Sequence, residues 1–437
     1  MKHNIAAMAA ALAIAASMTA CSNSNTGSGN ISKTDSTSEI TTEDSTNAET
    51  EASSDIVPEE EPVVSDNFDE PVIEPRNLLD YHLDNQEMVE ILKDNSKGVN
   101  ALNSSLLTLM SASGEKQVMV SGFSAYSCLS SAAKYIDGNS KTQINNALGE
   151  LNPEALDYFK THMPIETGTM FLIDDSLVLN VKKSDDFVFE DLQSDNIVKL
   201  VNNFVSDKTH NLITNLIGEP FDAHCRAAVI DTIYFKGTWE HKFDKNATDR
   251  QMFYGLNGDA ETDFMHSYHN YGVDIDNNII ELKYRNSDLV MDICYDTVGN
   301  SPENAFKSYV SKLDTLNDRL DYSYDVSLSM PKFETENKMD VTDAYKSLGM
   351  TDMFMCPDDF RALADDICIS DVIQKTKIIV DEEGTEAAAV TMMEMKDAAA
   401  AIDEPKILEV NINKPFVYAI RDTNTGIILF SGYITDF

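Results

Sequence analysis

Apolar residues at three- and four-residue spacing mark the chain from Asn85 to Leu148, and apolar runs at strand spacing mark it from Thr169 onward. The mixed spacing of Asn85 to Val99 predicts a helix. Leu102, Leu106, Leu107 and Met110 continue a helical stripe over Asn100 to Met110. Val118 to Val120 predicts a short strand. Helices are predicted over Ser124 to Ile136 and over Thr142 to Leu148, where Ile144 and Leu148 stand four apart. Strand pieces follow from Thr169 to Val181, and a helix from Lys199 to Ile217. Arg226 to Phe235 is an almost continuous apolar strand, broken by Gly237. Ile279 to Tyr284 and Leu289 to Ile293 predict paired strands. Val326 to Phe333 alternates like a strand up to Pro331, and Asp343 to Leu348 is helical. Late strands are predicted over Ile373 to Glu382, Lys406 to Ile412, Phe416 to Ile420 and Ile427 to Ile434. Helices crowd the first half and strands the second, which predicts an α+β class with large mixed sheets and not a regular βαβ wind.

The first residues change this picture. Lys2 and His3 precede an apolar run from Ile5 to Ala16, and Met18-Thr19-Ala20-Cys21 ends in a small-residue junction with a cysteine. The run is too short for a membrane span and has the layout of an export signal. Cys21 at the junction resembles a bacterial lipobox, so residues 1–21 are expected to be a lipoprotein signal, with Cys21 lipidated. The alternative is a plain cleaved signal. Residues 22–76 hold 14 acids, two bases and one aromatic, Phe68. That composition buries too little apolar surface to offset chain entropy, so an acidic tether is expected. It would hold residues 77–437, a single large domain, at the outer face of the envelope or outside the cell.

The net charge is −41, of which about −30 falls on residues 77–437. So acidic a surface argues against nucleic acid and against direct contact with anionic lipid, leaving the lipidated N-terminus as the membrane attachment. Beyond Cys21 the cysteines are Cys128, Cys225, Cys294, Cys356 and Cys368, an odd number without C-x-x-C spacing, which predicts buried thiols. His266 and His269 lack a third ligand, so no metal and no cofactor is expected. Trp239, the one tryptophan, stands beside Gly237 at a strand exit and reads as core packing. No G-x-S-x-G nucleophile motif occurs, which argues against an enzyme.

One segment fits none of these elements. About 25 residues separate the strand ending at Val380 from the one starting near Lys406, too many for two neighbouring strands without a functional reason. At strand period, Thr385, Ala387, Ala389, Thr391, Met393 and Met395 share one uncharged face. Glu386, Ala388, Val390, Met392, Glu394 and Lys396 share the other, which carries every charge. Local propensity favours helix equally, since Ala, Met, Glu and Lys are all helix formers.

Val380-Asp381-Glu382-Glu383-Gly384-Thr385-Glu386-Ala387-Ala388-Ala389 resembles the hinge of inhibitory serpins. Val410 to Ile420, with Asn424-Thr425-Gly426 and Leu429 to Gly432, resembles that family's C-terminal signature. Ile233 to Trp239 with Phe243, Met330 to Phe333, Leu348-Gly349-Met350 and Lys199 to Leu212 match further blocks in the family's order. The resemblance spans nearly all of residues 77–437.

The resemblance implies three sheets, about nine helices and an exposed reactive-centre loop. It implies a monomeric suicide-substrate inhibitor of serine proteases. The protease attacks the loop and forms an acyl-enzyme, the cut loop enters the main sheet as a new strand, and the trapped ester persists. On that basis the hinge is Glu382, Glu383, Gly384, Thr385 and Glu386, with Ala387, Ala388 and Ala389 permitting insertion. Counting forward from the hinge puts the reactive bond at Ala398–Ala399; counting back from Pro415 points to Glu404–Pro405. A pre-proline bond is a poor substrate, which favours the forward count and an elastase- or subtilisin-like partner. Lys396, Ala400 and Ala401 are alternative bait positions. A non-inhibitory binding protein on the same fold is the competing reading. The region that governs sheet opening in the family maps to Ser121, Ser124, Asn202, Asp231 and Gln374, with Trp239 nearby. Ser121 lacks the proline that usually follows it, and Asp231 and Gln374 replace a usual asparagine and histidine. A carboxylate and an amide there are expected to hydrogen-bond as a pair.

Overall fold

A computed structural model of the protein describes residues 81–182, 187–297, 299, 301–355, 358–365, 367, 369–385 and 406–437. The expected signal with Cys21, the expected tether, and Cys356 and Cys368 lie outside them.

The chain opens with α1 (Gln86–Ser113), β1 (Gln117–Val120), α2 (Gly122–Ala132), α3 (Gly138–Leu148) and α4 (Pro153–His162). Then come β2 (Ile165–Asp174), β3 (Val188–Glu190), α5 (Asp195–Lys208), β4 (Ala227–Phe235) and β5 (Gly237–Thr238). β6 (Asp249–Tyr254), β7 (Asp259–His269), β8 (Gly272–Asp274), β9 (Ile279–Lys283) and β10 (Leu289–Cys294) form a run of strands. α6 (Pro302–Val310) and α7 (Leu313–Arg319) interrupt it before β11 (Tyr324–Pro331), β12 (Phe333–Asp340) and α8 (Thr342–Ser347). The chain finishes with β13 (Asp371–Val380), β14 (Gly384–Thr385), β15 (Lys406–Asn411), β16 (Phe416–Asp422) and β17 (Ile428–Ile434). The described residues thus hold eight α-helices and four short 3₁₀ turns where about nine helices were expected.

The strands form three sheets, as the α+β reading required. One runs β1-β17-β16-β10-β9-β8, a second β15-β11-β7-β6, and the main sheet β3-β2-β4-β13-β14-β5 with β12 on β13. β4 is buried at every position because both its faces are covered. Ala227, Val229, Ile233 and Phe235 join the core shared with α1, α2 and the six-stranded sheet. Ala228 and Ile230 meet Ile197, Val201 and Val205 of α5 on the opposite face.

Two sequence expectations need correction, and one strand was not expected. The helix expected to Ile217 ends at Lys208, because His210 and Asn211 take left-handed backbone conformations. The Thr209 hydroxyl then accepts from the Ile213 amide and fixes the exit. The strand pieces expected to Val181 stop at Asp174, whose carboxylate accepts from Ser176 and Arg226 in a turn. β12 carried no apolar signal: its buried face includes Thr335 and Asn337, and its outer Glu334 and Glu336 pair with Lys377 and Lys375. Among the described residues no helix is long and apolar enough to cross a membrane.

Candidate functional site

β4 and β13 lie side by side in the main sheet, but they pair over only four positions. The parallel ladder joins Ala228 through Asp231 to Asp371 through Gln374. Above that rung the strands continue, Thr232 to Phe235 on one side and Lys375 to Val380 on the other, with no ladder pair between them. Their outer edges remain paired along the open stretch, β4 with β2 and β13 with β12 from Ile373 to Val380. The sheet therefore has a seam that is closed below and open above.

The start of the long loop sits in the top of that seam. After Val380 the chain turns tightly: the Asp381 amide donates to Gly384 O at 3.0 Å, and the Asp381 carboxylate accepts from the amides of Glu383 and Gly384. Gly384 and Thr385 then run back antiparallel to β13, with Thr385 opposite Val380. On their other side they pair antiparallel with Gly237 and Thr238 of β5, the continuation of β4. β14 is thus a two-residue strand that divides β4's line from β13. Only glycine fits position 384: a Cβ there would lie 2.0 Å from Gly237 O, and φ is +157°.

Side chains fix this turn from all directions. Thr385 is buried, and its hydroxyl shares a 2.6 Å hydrogen bond with Tyr284 Oη. Trp239 stacks on Tyr284 at 4.7 Å, and its Nε1 donates to Asp381 O. The Trp239 and Phe243 amides donate to Glu383 O and Glu382 O. Glu382 pairs with Lys332 at 2.8 Å and accepts from Thr248. Burial opposes its charge, yet Lys332 and Thr248 outweigh that and hold its carboxyl below the usual range. Hydrogen bonds from Lys242 and Lys245 lower Glu383 in the same way.

Beneath the closed rung lies a buried polar cluster. Gln374 Nε2 donates to Ser121 O at 2.9 Å, and the Ser121 amide returns a bond to Gln374 Oε1 at 3.0 Å. Ser121 Oγ donates to Leu429 O and, as N-cap of α2, accepts from the Ser124 amide. Asp231 accepts from Ser124 Oγ and from Thr169 Oγ1. Complete burial pushes the Asp231 carboxyl up to about 7, against those two hydroxyls and the Lys160 ammonium, which all favour its charged form.

The structure thus brings together Ser121, Ser124, Asp231 and Gln374. The expected bond between Asp231 and Gln374 does not form. They are register neighbours on parallel strands, and the start of α2 captures each separately. Asn202 is elsewhere: on α5, across the sheet, it accepts from the Leu216 and Ile217 amides and ties down the chain that follows the helix. Trp239 belongs to the upper turn, in the core role its sequence position suggested. His266 and His269 do not form a pair, because three residues along β7 place them on opposite faces. His266 bonds Asp249, and His269 stacks on His241 at 4.2 Å. No group of three metal-ligating side chains occurs among the described residues. Cys128, Cys225 and Cys294 are buried free thiols.

Sequence reading missed Thr169, Tyr284, Thr248, Lys242 and Lys245, all of which act through contacts distant in the chain. Lys332 had a signal, lying within the quoted Met330 to Phe333 block. Glu386, Ala387, Ala388, Ala389, Lys396, Ala398, Ala399, Ala400 and Ala401 lie outside the described residues.

The family model described as serpin (serine protease inhibitor) matches residues 178–437. An uncharacterized serpin-like protein of Methanosarcina mazei is 29% identical over 303 residues, covering 67% of this chain and 71% of its own length. Iripin-5 of Ixodes ricinus is 34% identical over 245 residues, covering 54% of this chain and 61% of its own length, so the chain spans less than two thirds of that relative. The crystal structure of the thermophilic serpin tengpin in its native state shares the fold with a TM-score of 0.68 at 23% identity, covering 80% of this chain and 94% of that one.

Proposed function

The chain belongs to the serpin family, whose members are in general protease inhibitors, and from that premise we propose that it inhibits serine proteases as a suicide substrate. The observation that carries this reading is the half-open seam with Gly384 and Thr385 already at strand register inside it. A continuing strand has a ready-made place and needs no rearrangement to begin.

Extending the Val380–Thr385 register gives the geometry of insertion. Val390 would come opposite Lys375, so Glu386 to Val390 fill the open half without breaking a rung. Thr391 would come opposite Gln374 and Glu394 opposite Asp371, so the next four residues must replace the four pairs between β4 and β13. Thr385 faces the core beside the inward Val380. Ala387, Ala389 and Thr391 would follow it inward beside Ile378, Thr376 and Gln374, all buried, which matches the uncharged face of the loop sequence. Glu386, Ala388 and Val390 would face outward, where Glu386 keeps its hydration.

In the proposed reaction a protease serine attacks the Ala398 carbonyl, the bond to Ala399 breaks, and an ester to Ala398 forms as the new amine leaves. Residues 384 to 398 as a strand span about 50 Å. That length takes the ester past Asp371, the lower end of β13, and carries the protease to the far pole of the sheet. The alanine bait suits an elastase- or subtilisin-like specificity pocket. Cys21 and the acidic segment after it would hold this inhibitor at the outer surface of the envelope. Incubation with elastase, subtilisin and trypsin, followed by denaturing electrophoresis, tests the mechanism. A covalent complex with at least one of them is expected; clean cleavage by every one of them, with no complex, overturns it.

A further inference from the structure

A cavity of about 610 Å³ opens between α2, α3 and α4 and the strands β2 and β4. Its inner wall is apolar: Ile136, Ile144, Leu156, Phe171 and Val229 line it, each nearly fully buried. Polar side chains line the rest, among them the carboxylates Glu150 and Asp157 and the donors Lys160 and Ser130. Lys160, from the last turn of α4, makes no hydrogen bond or ion pair with any described residue. Ser130 of α2 is 4% exposed, and its hydroxyl has no hydrogen-bond partner among the described residues. A buried hydroxyl without a partner is costly in a folded protein, and Ser130 and the half-buried Lys160 are both donors to an anion. Apolar walls with a few placed polar groups, at this volume, are the ordinary form of a small-molecule site.

We propose that this cavity binds an amphiphilic carboxylate, with its head on Lys160 and Ser130 and its hydrocarbon tail along Ile144, Leu156, Phe171 and Val229. An alkyl carboxylate of about ten to fourteen carbons matches the volume, the apolar inner wall and the two donors, with its head on the Lys160 side and away from Glu150. The carboxylate supplies a hydrogen-bonded counter-charge at Lys160, which Asp231 and Asp157 influence without bonding it. Burial lowers the amine's proton affinity, and the nearby Asp231 and Asp157 charges only partly oppose this, so an anion in the cavity would raise it again. The tail fills the space beside that wall and gives it packing contacts. Thr169 forms part of the same lining while its hydroxyl donates to Asp231. Ligand and polar cluster therefore share a residue, and occupancy adds contacts to the native arrangement beneath the seam. This inference does not depend on protease inhibition.

Isothermal titration of the whole chain with dodecanoate, and with dodecan-1-ol as the uncharged control, is the direct test. Dodecanoate is expected to bind with micromolar affinity, at least about tenfold tighter than the alcohol, because the head-group pair is charge-assisted. Lys160→Met keeps the length of the side chain and should abolish that preference while leaving alcohol binding within about twofold. Leu151→Trp, at the mouth, should weaken both ligands together. Circular dichroism confirms that each variant is folded. Equal binding of the two ligands, or an unchanged dodecanoate affinity in Lys160→Met, overturns the proposal, and so does an absence of binding to the unmodified chain.

Discussion

The upper and lower halves of the seam between β4 and β13 are held by opposite kinds of chemistry. Above, the turn at Asp381 to Thr385 is clamped by Lys332, Lys242 and Lys245, cations with one side in water. Such pairs contribute little individually, about 1 kcal/mol or less for the most exposed. Below, the strands are joined by a four-residue ladder over the buried Ser121, Ser124, Asp231 and Gln374, with the half-buried Thr169 at their edge. A carboxyl buried there is unfavourable when charged, so the lower half is tight in its hydrogen bonds and costly in its electrostatics. Strand addition would therefore start where little resists it and stall or proceed at the rung where Thr391 meets Gln374.

The largest expected effect breaks the upper half. Thr385→Arg would place a guanidinium against Tyr284 in a buried space. The variant should be cut by the target protease yet form no covalent complex, with the stoichiometry of inhibition rising at least about tenfold. Unchanged inhibition would show that Thr385 does not lead a strand inward.

A smaller effect sharpens the lower half. Asp231 has its folded-state carboxyl near 7, well above its unfolded value, so the native chain retains a proton that the unfolded chain gives up. Stability then falls as pH rises from about 4 to about 7, by roughly 1.4 kcal/mol for each pH unit in the middle of that window. Asp231→Asn removes this loss. The difference in melting temperature between variant and parent should widen as pH rises through the window and level off above it. A gap that does not change with pH would refute the assignment.

The smallest expected effect compares the clamps themselves. Lys332→Met leaves Glu382, with its side chain 5% exposed, without its cation. The cost should be about 1 to 3 kcal/mol at neutral pH, read from chemical denaturation. It should shrink in acid as Glu382 protonates, because a carboxyl held below its ordinary range loses its contribution as pH falls. A loss that persists unchanged at pH 3 would mean that packing of the lysine stem, not charge, holds the turn.

Much of this was legible in the chain. Continuous apolar runs such as Ala227 to Phe235 identify strands covered on both faces, and the spacing of Leu102, Leu106 and Met110 identifies α1. The period-2 pattern of Thr385 to Lys396 can be read in the chain, but of its residues only Thr385, which is buried, lies within the described structure. What escaped notice depends on contacts across the fold. Tyr284 meets Thr385 from 101 positions away, and Thr169 reaches Asp231 across 62. Asp231 and Gln374 were correctly placed together but wrongly joined, because residue type shows that a bond can form and not which neighbour takes it. β12 was missed for a related reason: a strand that buries Thr335 and Asn337 has no apolar period to read.

The position of the last strands bears on what a nicked molecule would be. β16 and β17 follow the loop in sequence, yet they sit in the interior of the six-stranded sheet, between β1 and β10, and every residue of both is buried. β15 is likewise laced to β11. A backbone break anywhere between residues 386 and 405 would therefore yield two polypeptides but one particle. Neither piece could leave without stripping its partner's sheet of a central member. The spent protein would travel as a two-chain heirloom of the original, indistinguishable in size until a denaturant parted it.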